Sequence, residues 1–360
     1  MEHPWRAAAK VMLGAVGVAL VLVSALSLVP SNEEWIRVWD FPRFQIAAAL
    51  VATIFGVLWL FEPRYRRHWF MAALLLALAY QAWRIWPYTP LHPVEALAAP
   101  SCPSDSQVSL FIANVHIENR DAAPLLAQVR QLDPDIVLLV ETDTWWDRQL
   151  RALEAAYPYA ISQPQANSYG MHLLSRLELI DPQVRSLLDP AIPSIRTDIA
   201  LPSGARIVFY GVHPRPPPLD ETAERDAELL IVAKAVRAGQ AAAIVAGDLN
   251  DVGWSRTTHR FQVISGLLDP RIGRGPYASF NAHWPLVKWP LDHVFFEDRF
   301  LLLGMGVLDD IGSDHYPFHI VLCHEPQAAP AQQQPMPEPS DRKAAEQSIE
   351  EGRREARESP

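Results

Sequence analysis

Three long apolar stretches within the first hundred residues constrain this 360-residue chain more than any other feature. Residues 11–29 contain no charged side chain, and neither do residues 44–61, while residues 69–83 form a shorter apolar stretch that ends at Arg84. Crossing the hydrocarbon core of a bilayer takes roughly 20 apolar residues. The first two stretches come close to that length, and the third does so if Arg84 extends its charge outward among neighbouring aromatic side chains. The pattern therefore predicts three transmembrane helices.

A cleaved signal peptide is the alternative interpretation of the first stretch. Two further apolar stretches follow it, and no small-residue cleavage site with a polar mature start is evident, so we interpret residues 1–88 as a three-helix transmembrane region. Arg6 and Lys10 precede the first stretch, and three arginines within residues 64–67 separate the second from the third. Basic loops stay in the cytoplasm. Three crossings then place the rest of the chain outside it, at the periplasmic face of an inner membrane.

The remaining chain divides by composition into three parts. Residues 89–105 are rich in proline and alanine and are expected to form an extended linker. Residues 106–324 have the apolar runs of a folded domain, and residues 101–324 carry 18 basic and 27 acidic side chains, a net charge of −9. Residues 325–360 consist largely of Pro, Gln, Ala, Glu and Arg, a composition that predicts a disordered, charged tail.

Strand and helix patterns alternate along the folded domain. Helices are predicted over residues 121–132 and 221–238, and strands over residues 108–113, 136–140, 206–212, 243–246, 294–296 and 318–322. Such a succession is typical of an α/β or layered α+β domain in which helices cover the sheets.

Polar side chains follow four of the predicted strands at the point where each strand ends. They are Asn114, Glu141, His213, and the pair Asp248 and Asn250. Open sheets bind ligands beyond the carboxyl ends of their strands, so we expect these side chains to meet at one edge. A single aspartate after a strand is more often a turn or cap residue. Five such side chains at one edge favour a functional site.

Two further acid–histidine pairs, Asp292-His293 and Asp314-His315, lie beside the last predicted strands. Glu141 and Asp248 supply hard oxygen ligands, with amide neighbours and no cysteine nearby. This donor set suits Mg²⁺ or Mn²⁺ better than structural zinc.

Six short sequence strings of the folded domain make the chain resemble the endonuclease/exonuclease/phosphatase, or DNase I-like, superfamily. The strings occur in the superfamily's order, span roughly residues 106–323, and are ANV at 113–115, PDIVLLVE at 134–141, GVHP at 211–214, GDLN at 247–250, LDHV at 291–294 and GSDHYP at 312–317. The resemblance implies a four-layer α/β sandwich, in which helices flank two packed mixed sheets. With the preceding apolar stretches, the chain is similar to the membrane-anchored branch that includes the teicoplanin-resistance protein.

The resemblance also implies roles for individual residues. Glu141, helped by Asn114, would hold a divalent cation, Mg²⁺ or Mn²⁺, on a phosphate oxygen, and Asp314 would add a carboxylate nearby. Many nucleases of the superfamily carry an acid two residues after the asparagine, where this chain has His116. Either the metal site has fewer ligands here, or an acid from elsewhere replaces that one.

The implied catalytic residues are Asp248, Asn250, His213, Asp292 and His315. Asp248 would orient and deprotonate the attacking water, and Asn250 would fix the water or the phosphate. His315, oriented by Asp292, would stabilise charge on the phosphate, and His213 would do the same or protonate the leaving group.

Three further residues are weaker candidates for substrate contacts. His172 could line the pocket or act in the core, Arg196 could contact phosphate or simply face solvent, and Trp254 could shape an apolar cleft or pack internally. The two cysteines, Cys102 and Cys323, bracket the folded domain. They form a disulfide if the domain is extracytoplasmic, or they are two unrelated small residues.

The sequence thus favours a membrane-tethered, Mg²⁺-dependent phosphodiesterase or phosphatase acting on lipid-linked or small phosphoesters. An extracytoplasmic endonuclease or exonuclease is the alternative within the same chemistry. Residues 101–324 have two lysines and a negative net charge, which disfavours a long nucleic-acid groove. A non-catalytic membrane-anchored interaction or resistance module is the alternative from a different class.

Overall fold

The N-terminal apolar region forms a bundle of three long helices. The computed structural model describes residues 4–62, 65–216, 222–284 and 286–358. The helices here are α1 (Pro4–Leu26), the short α2 (Glu34–Arg37), α3 (Arg43–Leu60) and α4 (Tyr65–Ile85). Leu50, Val57 and Leu74 are fully buried between the long helices, while apolar side chains such as Met12 and Trp59 point outward. An apolar exterior of this kind is expected of helices that face lipid.

Two of the predicted spans, α1 and α3, are long and apolar enough to cross a membrane. The third predicted span is helical as α4, but it does not reach that standard within the described residues. Its apolar part is the 15 residues 69–83. Basic side chains occupy the remaining turns at both helix ends, which explains the difference.

The rest of the chain forms two mixed β-sheets. In chain order the strands are β1 (Gln107–Asn114), β2 (Ile136–Val140), β3 (Tyr159–Gln163), β4 (Met171–Ser175), β5 (Leu179–Ser186), β6 (Pro193–Ala200), β7 (Arg206–Gly211), β8 (Ala242–Asp248), β9 (Asp292–Phe296), β10 (Phe300–Val307) and β11 (Phe318–His324). The first sheet has the order β10-β11-β1-β2-β4-β3, and the second has the order β5-β6-β7-β8-β9.

Five further helices cover this core: α5 (Ala123–Leu132), α6 (Thr144–Leu150), α7 (Ala223–Ala238), α8 (Arg256–Ser265) and α9 (Pro339–Glu358). The inner faces of the two sheets share one apolar core, in which Leu138 of the first sheet lies with Phe209 of the second. Helices α5 and α6 pack on the outer face of the first sheet, and α7 and α8 pack on the outer face of the second. The predicted four-layer α/β sandwich is confirmed.

The central strands are apolar along their whole length because both of their faces are covered. All five residues of β2 are buried, as are all seven of β8. This is the pattern of parallel strands enclosed on two sides, and it made these strands predictable. The edge strand β5 contains Pro182, has a bulge after Ile180 and exposes many of its residues. Its sequence therefore lacks the alternation of apolar and polar residues that would predict a strand.

Residues 339–358 of the C-terminal tail form helix α9, so the prediction of a disordered tail is wrong for this segment. Helix α9 packs across α7, and Ala345, Ile349 and Gly352 are buried against it. A Cβ atom at Gly352 would lie 2.5 Å from the Cβ of Ala227. The composition of this segment did not predict a packed helix, because the buried face of α9 is made mainly of small residues, which add little to the count of apolar residues.

The linker lies along the folded domain. Ala98 forms a parallel bridge with Leu302 of β10, and the Leu302 amide donates to the Leu97 carbonyl at 2.9 Å. Cys102 and Cys323 form a disulfide, with a Cα–Cα distance of 5.8 Å. Residues that bracket the domain in sequence meet because β1 and β11 are neighbours, with Gln107 opposite Cys323.

Candidate active site

The strand topology brings the predicted site residues to one edge of the sandwich. Strands β1 and β2 are parallel, so Asn114 and Glu141 lie side by side at their carboxyl ends. Strands β7 and β8 are also parallel, which places His213 beside Asp248. The antiparallel strand β9 begins at this edge, since Asp292 is the register partner of Asp248.

His315 reaches the same edge from the loop before β11. That strand runs antiparallel to β1, with Phe318 opposite Ile112, so the residues just before it lie at the carboxyl end of β1. The Ser313 hydroxyl donates to the carbonyl of Asn114 at 2.8 Å, which fixes the loop to that strand. The fold therefore explains why residues about 200 positions apart in the sequence form one site.

Asn114 connects the two acidic residues of the site. Its amide nitrogen donates to Glu141 Oε1 at 2.8 Å and to Asp248 Oδ2 at 3.1 Å. Its amide oxygen accepts from the backbone N–H of His116 at 2.9 Å, which orients the amide. Glu141 Oε2 also accepts from the backbone N–H of Ile117 at 3.1 Å. One neutral amide thus joins a glutamate of the first sheet to an aspartate of the second.

His315 lies between two buried aspartates. Its Nδ1 is 2.7 Å from Asp292 Oδ2, and its Nε2 is 3.6 Å from Asp248 Oδ2. All three residues are at most 4% exposed. This order leaves the Nε2 edge of the ring facing the Asp248 carboxylate, while Asp292 holds the opposite nitrogen.

His213 and Asn250 complete the surroundings of Asp248. His213 Nδ1 lies 3.3 Å from the Asp248 carbonyl oxygen and 4.0 Å from Asp248 Oδ2. The backbone N–H of Asn250 donates to Asp248 Oδ1 at 2.9 Å, and the Asn250 amide donates to the carbonyl of Pro214 at 2.9 Å. Both oxygens of Asp248 therefore accept at least one hydrogen bond.

The backbone at this edge adopts conformations that most residues avoid. Glu141 has φ 63° and Asn250 has φ 51°, in the left-handed region. Gly247 has φ 144°, and a Cβ atom there would lie 1.9 Å from the carbonyl oxygen of Val212. A non-glycine residue in the left-handed region costs on the order of 1–3 kcal/mol, and such positions concentrate at functional sites.

The charges of the histidine and the aspartates depend on one another. Burial alone would lower the pKa of His315, but Asp292 and Asp248 outweigh it and raise that pKa to about 10. Burial raises the pKa of Asp248, although His315 and His213 oppose this shift. At neutral pH His315 is therefore a cation, placed between two acids.

The donor set fits a divalent cation on its glutamate side. Glu141 and Asp248 converge on one neutral amide, so their combined negative charge is available to a hard cation such as Mg²⁺. Ligand atoms of Asp248, Asp292 and His315 also lie within 4.8 Å of one another. However, a histidine must be neutral to bind a metal, and the raised pKa of His315 opposes that. The carboxylate oxygens of Glu141 and Asp248 are therefore the better ligands.

Of the other predicted residues, Asp314 lies at the edge of the site and His172 lies in the protein interior. Asp314 is half-buried at the same edge, and its Oδ1 accepts a long 3.4 Å contact from the Ser313 hydroxyl. No hydrogen bond among the described residues links Asp314 to Glu141 or Asp248. His172 is buried behind Glu141, and its Nδ1 lies 2.8 Å from the hydroxyl of Thr142. Its burial favours the core role over the pocket-lining role.

The structure does not bring Arg196 or Trp254 into the site. Arg196 pairs with Asp198 at 2.7 Å on its own strand β6, because that face of the sheet carries neighbouring acids. Trp254 is buried at the junction with the helical bundle, where its indole N–H donates to the carbonyl of Asp40. These contacts favour the alternatives, a surface role for Arg196 and internal packing for Trp254, and substrate contact by either residue stays a prediction.

The aromatic residue next to His315, Phe280, was not predicted. The ring of Phe280 lies 5.0 Å from that of His315, and Trp289 stacks on Phe280 at 5.8 Å. Ser279 accepts from the backbone N–H of Asp292 at 3.1 Å. All three residues lie in an irregular loop, so periodicity could not find them, although the concentration of aromatic residues at 277–289 was a visible signal.

The chain belongs to the endonuclease/exonuclease/phosphatase family, whose model matches residues 111–315. Members of this superfamily are phosphoesterases and nucleases, and its enzymes use divalent metals. The matched range contains every residue of the site described above. The bundle helices lie outside it. The predicted resemblance to this family is confirmed.

Solved structures share the fold at low sequence identity. A humanized Danio rerio TDP2 is 15% identical, with a TM-score of 0.53 over 60% of this chain and 99% of that chain. D. rerio TDP2 complexed with a single-strand DNA product is 15% identical, with a TM-score of 0.52 over 60% and 99%. An endonuclease/exonuclease/phosphatase from Beutenbergia cavernae is 18% identical, with a TM-score of 0.50 over 61% and 72%.

The comparison with curated proteins gave no match. The resemblance to the teicoplanin-resistance branch therefore stays a prediction.

Proposed function

We propose that this protein is a membrane-tethered hydrolase that cleaves phosphate esters with the help of a divalent cation. The observation that carries the proposal is the convergence of Asn114, Glu141, Asp248, Asp292 and His315 at one edge of the sandwich. Acid, amide and cationic histidine are the groups that phosphoryl transfer requires, because it depends on positioning and charge stabilisation.

Glu141, oriented by Asn114, would hold the cation, and Asp314 would add a carboxylate at the rim of the same site. When bound, Mg²⁺ or Mn²⁺ supplies Lewis-acid stabilisation of a phosphate oxygen. Asn114 also fixes the relative positions of Glu141 and Asp248, since its amide donates to both. The first sheet thus supplies the groups that hold the cation, and the second sheet supplies the groups that act on water.

Asp248 accepts the proton of the attacking water. Burial raises its pKa, which makes it a stronger base at neutral pH. Asn250 orients this carboxylate through its backbone N–H, and its left-handed conformation turns the chain back towards His213. His315, held as a cation by Asp292, stabilises the developing negative charge on the phosphate. His213, on the other side of Asp248, protonates the leaving group or shares that charge.

A chain of aromatic contacts supports a substrate that lies at the membrane surface. Phe41, two residues before the start of α3, packs edge-on against Trp289 at 5.4 Å. Trp289 stacks on Phe280, which contacts His315. The first turn of α3 also reaches the adjoining loop, where Gln45 donates to the Leu286 carbonyl at 3.0 Å. Three successive ring contacts thus connect the start of the proposed membrane helix α3 to His315. We infer that lipid-linked phosphoesters are the favoured substrates.

The arrangement of the bundle supports three crossings. Gln81 of α4 donates to Ser24 of α1, and a Cβ atom at Gly17 of α1 would contact Phe70 of α4, so α1 and α4 run in the same direction. The loop before α3 and the residues after α4 both contact the folded domain at Gly253 and Trp254. If α1 and α3 cross the bilayer, α4 must return across it. The Cys102–Cys323 disulfide supports an oxidising compartment for the domain.

A nuclease activity is the second candidate. D. rerio TDP2, which shares the fold, was crystallised with a single-strand DNA product. Against this, residues 101–324 carry 18 basic and 27 acidic side chains, and nucleic-acid binding relies on a positive surface. A non-catalytic module is the third candidate, and the intact hydrogen-bond network around Asp248 argues against it.

The test uses the full chain in lipid nanodiscs. Phospholipids, a polyprenyl pyrophosphate, inositol phosphates and a single-strand DNA oligonucleotide are offered with Mg²⁺, with Mn²⁺ and with a chelator. We expect release of product from a lipid-linked substrate that stops when metal is removed and in the Asp248→Ala variant. Cleavage of DNA alone would replace the lipid proposal with the nuclease, and no metal-dependent hydrolysis of any substrate would refute both. The isolated fragment 101–324 is unsuitable, because the bundle covers part of its surface.

A further inference from the structure

A buried arginine of the helical bundle lies inside the folded domain. Arg37 belongs to α2, in the loop between α1 and α3, and its side chain is 6% exposed. The adjoining Asn32 carbonyl accepts from the backbone N–H of Thr222 at 3.1 Å, and Arg256 donates to the carbonyl of Ser31 at 2.7 Å. This loop is therefore a built part of the domain interior.

The Arg37 guanidinium bridges two aspartates that are each about 1% exposed. Its Nη1 contacts Asp226 and donates to Thr222 at 2.8 Å. Its Nη2 lies 3.3 Å from Asp251 Oδ2 and donates to Thr257 at 2.9 Å. A planar guanidinium with several fixed donors suits such a bridge, whereas a lysine ammonium does not.

A second arginine, Arg225, connects this cluster of buried charges to the candidate active site. Arg225 donates to Asp226 Oδ1 at 3.0 Å and lies 3.5 Å from Asp251 Oδ2, so two arginines balance two aspartates. Its Nη1 also donates to the carbonyl of Asn250 at 2.9 Å. Asp251 follows Asn250 directly, and its carbonyl lies 2.8 Å from His293 Nε2. The cluster thus holds the back of the turn that carries Asp248 and Asn250.

We propose that Arg37 is a positioning residue that couples the membrane region to the activity of the site. It fixes Asp251, and Asp251 with Arg225 fixes the left-handed turn at Asn250 that presents its N–H to Asp248. The folded domain is then fully active only while it is docked on its own membrane loop. This inference rests on the proposed function, since it assumes that Asp248 and Asn250 act in hydrolysis.

The competing explanation is that Arg37 only balances buried charge. Removing one partner from a buried ion pair leaves a charge without compensation and strongly destabilises a protein. A simple Arg37→Ala variant could therefore fail to fold. Two variants that keep the cluster neutral separate positioning from charge balance: Arg37→Lys, and the double variant Arg37→Gln with Asp226→Asn.

The experiment measures kcat and KM of the full chain in nanodiscs. The probes are the soluble esters bis(4-nitrophenyl) phosphate and 4-nitrophenyl phosphate, together with whichever lipid-linked ester is hydrolysed. Thermal melting and the intact Cys102–Cys323 disulfide report folding. Trp35→Ala is the matched control, because Trp35 lies in the same short helix but is 60% exposed. Asp248→Asn reports whether the hydrolysis depends on the proposed site.

We expect kcat to fall about 10- to 100-fold in both neutral-cluster variants, with KM changed less than about threefold, because a small displacement of a catalytic group has effects of this size. Trp35→Ala should keep the wild-type kcat. A folded Arg37→Lys or double variant with wild-type kcat would overturn the inference while leaving the proposed function intact. If only one of the two variants folds, the kcat of that variant decides between positioning and charge balance. If neither variant folds although the charges are balanced, Arg37 is structural and the inference fails. Hydrolysis that survives Asp248→Asn would refute the proposed function itself.

Discussion

Asp248 and Asp292 face each other directly as register partners in the β8–β9 ladder, and both are buried. Two neighbouring carboxylates in a dry site repel one another unless a positive charge lies between them. His315 supplies that charge, 2.7 Å from one acid and 3.6 Å from the other. Sheet register therefore sets the electrostatics of the site, and the loop that carries His315 completes it.

Replacing Asp248 with asparagine should abolish most activity. Asn250 can still donate to the amide oxygen at this position, so the fold persists, but the base is lost. We expect kcat to fall about 10²- to 10⁴-fold, the usual contribution of a general base. Asp309→Asn is the control, because Asp309 is an exposed acid of the loop before His315. Equal losses in both variants would show that the effect is not specific to the site.

The pH dependence of activity should reveal the pairing of Asp292 with His315. The pKa of His315 is raised to about 10, so the cation persists through neutral pH and activity declines only as pH approaches 10. The same raised pKa stabilises the fold fully below about pH 6.5, and this contribution is lost as pH rises through 10. In Asp292→Asn the histidine loses its main partner. The alkaline limb of a kcat/KM profile should therefore move to lower pH, and an unmoved limb would contradict the assignment.

Metal affinity should depend on Glu141 and on the amide that orients it. Chelation should remove activity and added Mg²⁺ should restore it. Asn114→Ala removes a partner that positions the ligand, and such changes weaken metal binding about 10- to 100-fold. Glu141→Gln should weaken it further. Titration of activity with Mg²⁺ measures both effects, and the exposed neighbour Glu118 provides the control variant Glu118→Gln, which should need the wild-type Mg²⁺ concentration.

The disulfide should stabilise the folded domain. Cys102 and Cys323 are 221 positions apart, and they are the two cysteines of the sequence. Closing a long loop restricts the unfolded chain, and removing such a bridge costs about 2–5 kcal/mol. A Cys102→Ser/Cys323→Ser variant should therefore melt at lower temperature. A reductant should lower the melting temperature of the wild type and leave that of the double variant unchanged.

The tail helix should respond to a side chain added at Gly352. A Cβ atom there would lie 2.5 Å from Ala227 and 2.6 Å from the carbonyl oxygen of Ala223. Gly352→Val should cost about 1–3 kcal/mol through overpacking, even though valine has the better helix propensity. Arg353→Val places the same side chain on the exposed face of α9 and should have little effect. Equal stability of Gly352→Val and wild type would mean that α9 does not pack on α7 in solution.

The residues at strand ends were predictable because the chain itself sets their positions. The bounds of β2 match the predicted strand at 136–140, and Glu141 must follow wherever that strand ends. Asn114, His213 and Asp248 were found by the same reasoning. Their roles came from the resemblance to a family, while their convergence required the topology of two sheets.

Other parts of the site depend on long-range packing that no local pattern records. Phe280 approaches His315 from an irregular loop, and the partners of Arg37 lie about 190 to 220 residues further along the chain. The face of α9 was missed for a related reason, since its small residues become a packing surface only against α7. The surroundings of Arg196 and Trp254 were not predictable, because an arginine or a tryptophan in a sequence does not reveal what surrounds it.

The position of Arg37 also has a consequence for the order in which the protein is made. At about 5–20 residues per second, a ribosome reaches Asp226 and Asp251 roughly 10 to 40 s after Arg37 has been synthesised. Until then its two buried aspartate partners do not exist, so the loop cannot make its final contacts. On the proposed topology, the contacts between the helical bundle and the folded domain can therefore form only after residues 226–251 have been translocated, so docking of this loop is a late step of biosynthesis.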